Sequence, residues 1–163
     1  MLAVWRRRYE RLLEGIAIVL MVALALLVAV AVVYRKAGVS IVWYDEIASV
    51  LLAWITFYGA ALAALRGAHI GVSALVDAMP PRPRLAATLA AEACVIGFFG
   101  LLAWVGWSVL EVLATDHLVS LPEVSVMYTQ SVIPIGSALF VIAELLRLPE
   151  VLRSAGTRIE VNP

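Results

Sequence analysis

Long apolar runs alternate along this chain with short breaks rich in charge, glycine or proline. The first run, 15–34, is twenty residues without a charge, or about 30 Å as a helix, the thickness of a bilayer's hydrocarbon core. The second, 46–66, opens on Trp43-Tyr44-Asp45-Glu46, and nineteen apolar or small residues separate Glu46 from Arg66. A third run covers about 86–114, long enough to cross with tilt. The fourth, about 124–146, has a polar first half (Tyr128, Thr129, Gln130, Ser131), and Pro134 with Gly136 predicts a bend. Between the second and third runs, residues 69–79 place Val72, Leu75, Val76 and Met79 on one helical face and His69, Ser73 and Asp77 on another. Eleven residues cannot span, but such a segment lies flat at an interface. Pro80, Pro81 and Pro83 stop it. The pattern predicts an all-α integral membrane protein. Its 163 residues form a single four-helix transmembrane domain with an interfacial amphipathic helix between the second and third spans.

The second run carries a further pattern. Glu46, Ser49, Ala53, Thr56, Ala60, Ala63 and Gly67 recur three or four residues apart and so stack along one side of a helix. Leu51, Trp54, Tyr58, Leu62 and Leu65 take the other side. Lipid supplies no hydrophobic drive between helices, so small residues mark where another backbone comes close. The seam Ser49, Ala53, Thr56, Ala60, Ala63 and Gly67 either packs within the chain's own bundle or docks a partner protein. The third run repeats the device with Ala86, Ala90, Ala93, Gly97 and Gly100.

Composition agrees with this picture. The chain is 64% hydrophobic and 15% charged, against about 25% charged in a soluble domain. Twelve basic and twelve acidic residues cancel, and no basic, aromatic-laced surface suggests nucleic acid. Their distribution is uneven. With both termini cytoplasmic, the inner segments hold Arg6, Arg7, Arg8, Arg11, Arg66, Arg82, Arg84, Arg147, Arg153 and Arg158, while the outer loops hold only Arg35 and Lys36. Ten against two is a positive-inside signal and sets that orientation. The first apolar run exceeds the roughly 7–15 residues of a cleaved signal, so it is expected to stay as a helix.

Chemistry is sparse. Cys94 has no partner for a disulfide or a Cys-x-x-Cys motif. His69 is expected at the inner interface and His117 in an outer loop, about 30 Å apart across the bilayer, so they share no haem or metal and no cofactor is expected. Phosphate-loop, metalloprotease and nucleophile-elbow motifs are absent. Glu14, Asp45, Glu46, Glu111 and Glu144 fall near predicted span ends, where water or headgroups solvate them. Asp45 and Glu46 also suit the positive end of a helix dipole. Glu92 is the deepest carboxylate, and Arg66, Arg82 or Arg84 at the same level offers an intramembrane ion pair.

The block Gly59-Ala60-Ala61-Leu62-Ala63-Ala64-Leu65-Arg66-Gly67-Ala68-His69-Ile70-Gly71-Val72, with Trp43-Tyr44-Asp45-Glu46 and Trp54 ahead of it, resembles a known family. It is similar to the small membrane subunit, DctQ-like, of the tripartite ATP-independent periplasmic (TRAP) transporters. Tyr128, Pro134 and Gly136 extend the resemblance to the fourth helix. The resemblance implies a bacterial inner-membrane protein and not an enzyme. In that family the small subunit is a stationary scaffold beside a large multi-span permease subunit, which moves sodium and an organic acid by an elevator motion. A periplasmic substrate-binding protein delivers the cargo. On that reading Asp45, Glu46, Trp54, Arg66 and His69 anchor the second helix at the interfaces among membrane lipids. Arg35, Lys36, Asp116 and Glu123 face the binding protein, and a charge at Ala60 or Ala63 is expected to abolish assembly. The residues leave a second reading open, a self-contained small oligomeric transporter working through an intramembrane carboxylate such as Glu14 or Glu92.

Overall fold

The structure, a computed structural model, describes residues 2–67 and 79–157. The interfacial segment expected at 69–79, apart from Met79, lies outside them, as does His69. The elements are α1 (Leu2–Lys36), α2 (Tyr44–Arg66), α3 (Pro81–Leu113), the short α4 (Val126–Gln130) and α5 (Val132–Thr157). Four stretches are long and apolar enough to cross a membrane: Val4–Lys36, Tyr44–Arg66, Pro83–Leu113 and Val126–Val151. A lipid environment leaves the backbone no partner but itself, so uninterrupted helices are the expected solution.

Helix α1 begins thirteen residues before the apolar run that predicts it. Arg, Glu and Leu are good helix formers, and the charged turns find partners across the bundle. Gly38 follows the end of α1 and Gly67 the end of α2, both with left-handed backbones (φ 82° and 68°) that favour glycine. The Gly67 amide donates back to the carbonyls of Ala63 and Ala64. The fourth apolar run is two helices. Pro134 has no amide proton for the carbonyl of Gln130, and the helix breaks there, between α4 and α5. Trp54 of α2 braces the turn beside this break: its indole Nε1 donates to the carbonyl of Thr129 at 2.9 Å.

Helix α1 packs along α2, α2 along α5, and α5 along α3. The four therefore form an open row with α1 and α3 at its ends. Burial follows this order. In α5, 39% of the most apolar window is buried, in α3 none. The tightest packing lies toward one end, where Leu13, Ala61, Ala64, Leu65, Phe140 and Ala143 are fully buried, with Tyr9, Tyr58 and Phe99 around them. Phe99 of α3 stacks on Phe140 with centroids 3.8 Å apart. Tyr9 reaches across from α1 and donates its hydroxyl to the carbonyl of Leu139 at 2.7 Å. We call this the Arg-rich end, and the other, bearing the 37–43 and 114–125 connections, the loop end.

Two glycines set the interhelical distances. A Cβ on Gly136 would lie 2.6 Å from the Cβ of Phe57, and one on Gly106 would lie 3.2 Å from the Cδ of Pro134. Gly97 and Gly100 have no such neighbour. Gly136→Ala is therefore expected to cost about 1–3 kcal/mol by overpacking, read as a lower unfolding temperature in detergent. Gly97→Ala, in open space, should leave that temperature unchanged or raise it.

Candidate functional site

The charged and polar side chains gather at the two ends of the row. At the Arg-rich end, Arg66 closes α2 and turns back onto α1, its Nε 2.8 Å from Glu10 Oε1 and its Nη2 3.2 Å from Glu14 Oε2. Glu10 and Glu14 are four apart, so one guanidinium meets both. Arg6 bonds Glu150 of α5 and also donates to the carbonyl of Leu65 at 3.0 Å. That carbonyl belongs to the last turn of α2, where no helical amide remains to satisfy it. The Arg147 guanidinium lies 3.1 Å from where a Gly67 Cβ would stand. Arg6 and Arg66 thus fasten α1, α2 and α5 together through opposite charges and a free carbonyl, and Arg147 packs its guanidinium against Gly67.

Two carboxyls meet at this end as well. Glu144 of α5 is buried, 2% exposed, with Arg147 at 3.7 Å, and the Glu92 side chain of α3 lies within hydrogen-bonding reach of it. The expectation that Glu144 is solvated at a span end is thereby corrected. Helix α5 runs on to Thr157 and not to about 146, so Glu144 lies more than three turns inside it. Arg66, one of the expected partners of Glu92, is engaged by Glu10 and Glu14. Arg84 lies in the first turns of α3, and Arg82 enters the same helix with its side chain outside the described set.

At the loop end Glu46, in the first turn of α2, holds the connection between α3 and α4. Its carboxylate accepts from the amides of Val119 (3.1 Å) and Ser120 (2.9 Å) and from the Ser120 hydroxyl. The loop also bonds itself: Leu118 donates to Val124, Val126 to Asp116, and Val124 to Leu121. The result is a braced projection with Val119 93% exposed at its tip. Asp116 and Glu123 are exposed on this loop, Arg35 and Lys36 are exposed where α1 ends, and His117 pairs with Ser125 in an isolated bridge. Asp45 is exposed and lines a cleft of about 130 Å³ with Arg35, Ser40 and Tyr44. All four residues expected to face a binding protein therefore lie at one end.

The seam of α2 divides. Ser49, Ala53 and Thr56 are exposed, as is Leu52 beside them; Ala60 and Ala63 are half-buried, and Gly67 is exposed beside Arg147. The hydroxyls of Ser49 and Thr56 bond their own helix, to the carbonyls of Asp45 and Leu52. Among the described residues, no helix covers Ser49, Ala53 and Thr56 of the seam. Among the functional contacts, Glu150, Thr129 and Ser120 have no sequence signal beyond residue type. The four-residue spacing of Glu10 and Glu14 is the one hint the chain offered.

Comparison with known proteins fits these features. The family model for "Tripartite ATP-independent periplasmic transporters, DctQ component" matches residues 24–154. The chain is also similar to the sialic acid TRAP transporter small permease protein SiaQ of Vibrio cholerae serotype O1 (strain ATCC 39315 / El Tor Inaba N16961). The two are 24% identical over 106 residues, 65% of this chain and 61% of that protein. The chain thus spans about three fifths of that relative's length. The matched region takes in α2 through most of α5, from the braced loop to the buried helix pair, and the chain belongs to the DctQ component family of TRAP transporters.

Proposed function

We propose that this chain is the small permease subunit of a sodium-coupled TRAP system for an organic acid, serving as the stationary scaffold of the large transport subunit. The observation that carries this reading is the division of the molecule. One end is locked by Arg6 and Arg66, while among the described residues whole helix faces are left without a partner. The arrangement is rigid where a moving neighbour would push on it. It is open where that neighbour would pack. Among the described residues the buried polar side chains are Ser137 and Glu144, too few to line a path for a charged solute. The sialic acid named for the relative is one member of the organic-acid class in this proposal.

On this reading both termini are cytoplasmic, so the Arg-rich end faces the cytoplasm and the loop end the periplasm, in keeping with the positive-inside rule. The exposed half of the seam, Ser49, Ala53 and Thr56, then docks a helix of the large subunit, because small residues admit a second backbone closely. The braced loop and the end of α1 present Arg35, Lys36, Asp116 and Glu123 to the periplasmic binding protein.

Ala53 gives the cleaner assembly test, since it is exposed, whereas Ala60 adjoins the core. Ala53→Glu is expected to abolish co-purification with the large subunit while leaving the chain's own unfolding temperature within a few degrees of the wild type. Undiminished complex would refute the docking face. Solute uptake by the purified chain alone in liposomes would refute the scaffold role.

Neutralising Arg35, Lys36, Asp116 and Glu123 together is expected to weaken binding-protein affinity about tenfold, chiefly through slower association at low salt. Glu46→Ala should act by the same route, releasing the loop. Amide exchange at Val119 and Ser120 would then quicken, since both amides lose their acceptor.

A further inference from the structure

Three arginines of α1, Arg7, Arg8 and Arg11, are exposed and engage no carboxylate among the described residues, although Arg6 and Arg66 beside them are both satisfied. Arg8, Arg11, Gly15 and Val19, spaced three or four apart, fall on one side of α1. That side borders a groove of about 350 Å³ between α1 and α2, lined by Arg11, Leu12, Gly15, Ile16, Val19, Leu20, Trp54 and Tyr58. Apart from Arg11 at its mouth, the lining is aliphatic or aromatic.

The groove has built walls. Trp54 is fixed by its bond to the Thr129 carbonyl, and Tyr58 packs beside it at 6.3 Å between ring centroids. At Gly15 nothing of the protein lies within 4 Å of where a Cβ would stand, so the glycine opens the groove and does not serve helix contact. From Arg11 to Leu20 the wall is ten residues long, about 14 Å, or close to one leaflet of a roughly 30 Å hydrocarbon core. An apolar trough one leaflet deep, with guanidinium groups at its charged end that engage no carboxylate among the described residues, matches one ligand class. Basic pockets between spanning helices bind the phosphate of anionic lipids.

We infer that the α1–α2 groove is a specific site for one anionic glycerophospholipid, with an acyl chain along Gly15, Val19, Trp54 and Tyr58 and its phosphate on Arg8 and Arg11. This site involves neither the exposed seam nor the loop end, so it stands or falls apart from the subunit role. Its effect would be to fill the space between the outermost helix and the row and to tie α1 to the leaflet beside the arginine lock.

The test is native mass spectrometry of the full, delipidated chain titrated with phosphatidylglycerol or phosphatidylcholine of identical acyl chains. One phosphatidylglycerol should be retained in preference to phosphatidylcholine, with retention falling about fivefold for each of Arg8→Gln and Arg11→Gln and holding in Arg11→Lys. Gly15→Leu should lower retention of phosphatidylglycerol without altering charge. No other part of the protein lies within 4 Å of where its Cβ would stand, and the change raises helix propensity, so an unchanged unfolding temperature in detergent is expected to accompany the loss. Equal retention of the two lipids, unchanged retention in Gly15→Leu, or equal competition by glycerol phosphate lacking acyl chains would each overturn the site. So would loss of the lipid on adding the large subunit, which would make the groove a protein interface.

Discussion

Helices in lipid gain nothing from hiding apolar surface from one another, so this fold depends on how closely its backbones approach. The positions that permit close approach are few. Ala61 and Ala64 of α2 and Ala143 of α5 are fully buried, Gly136 lies against Phe57, and Gly106 against Pro134. Around the first three, Leu13, Leu65 and Phe140 complete a core that reaches across three helices. Dispersion falls off steeply with a gap of even half an ångström, so a methyl group in the wrong place separates a whole helix pair. The row is held by contact, and contact is concentrated at one end.

That concentration explains the charge pattern. A helix pair in tight contact at one end can hold its terminal charges in fixed register, and Arg66 with Glu10 and Glu14 shows the outcome. Such pairs are exposed, and individually exposed ion pairs contribute little. Their value lies in specifying register: a slip of α1 by one turn would separate both carboxylates from the guanidinium. Arg6 adds a different term, since it satisfies the Leu65 carbonyl that the end of α2 leaves without a helical amide. Toward the loop end Trp54 bonds the Thr129 carbonyl beside the break, and Glu46 holds the connection beyond it. Side chains on α1 and α2 therefore complete backbone and charge partners on the neighbouring elements.

Much of this was legible in the chain. Four apolar runs of twenty or more residues have one backbone solution in lipid, so the number and type of elements followed from length alone. The proline at 134 marked a departure from regular helix, and the structure places the break one turn earlier, where the missing amide leaves a carbonyl without its donor. Which faces meet was less legible. Small residues mark permission for close approach, but either helix of a pair can supply them. Here α5 contributes Gly136 and Ala143, so bulky residues of α2 such as Phe57 and Leu65 turn toward it, leaving Ser49, Ala53 and Thr56 outside. Glu144 was hidden for a related reason. Its depth depended on how far α5 runs past the apolar stretch, and the residues after 146 are helical without being apolar. The partners of Arg6, Arg66 and Glu46 lie 52 to 144 residues away in sequence, and only the packed register brings them together.

The open row also bears on what such a molecule can do alone. A conduit for a charged solute needs polar groups enclosed on all sides, because an unsatisfied polar group in hydrocarbon costs several kcal/mol. A row has no inside. Helix α3 has none of its apolar window buried, and Trp104 and Trp107 stand 72% and 63% exposed along it. Closing the row on itself would not help, since its outward faces are apolar and would meet as a dry core. What such a shape offers is breadth: a wide, stiff sheet of helices, locked at one edge of the bilayer and braced by a short loop at the other. In the scaffold role proposed above, breadth in the plane of the membrane is what resists tilting.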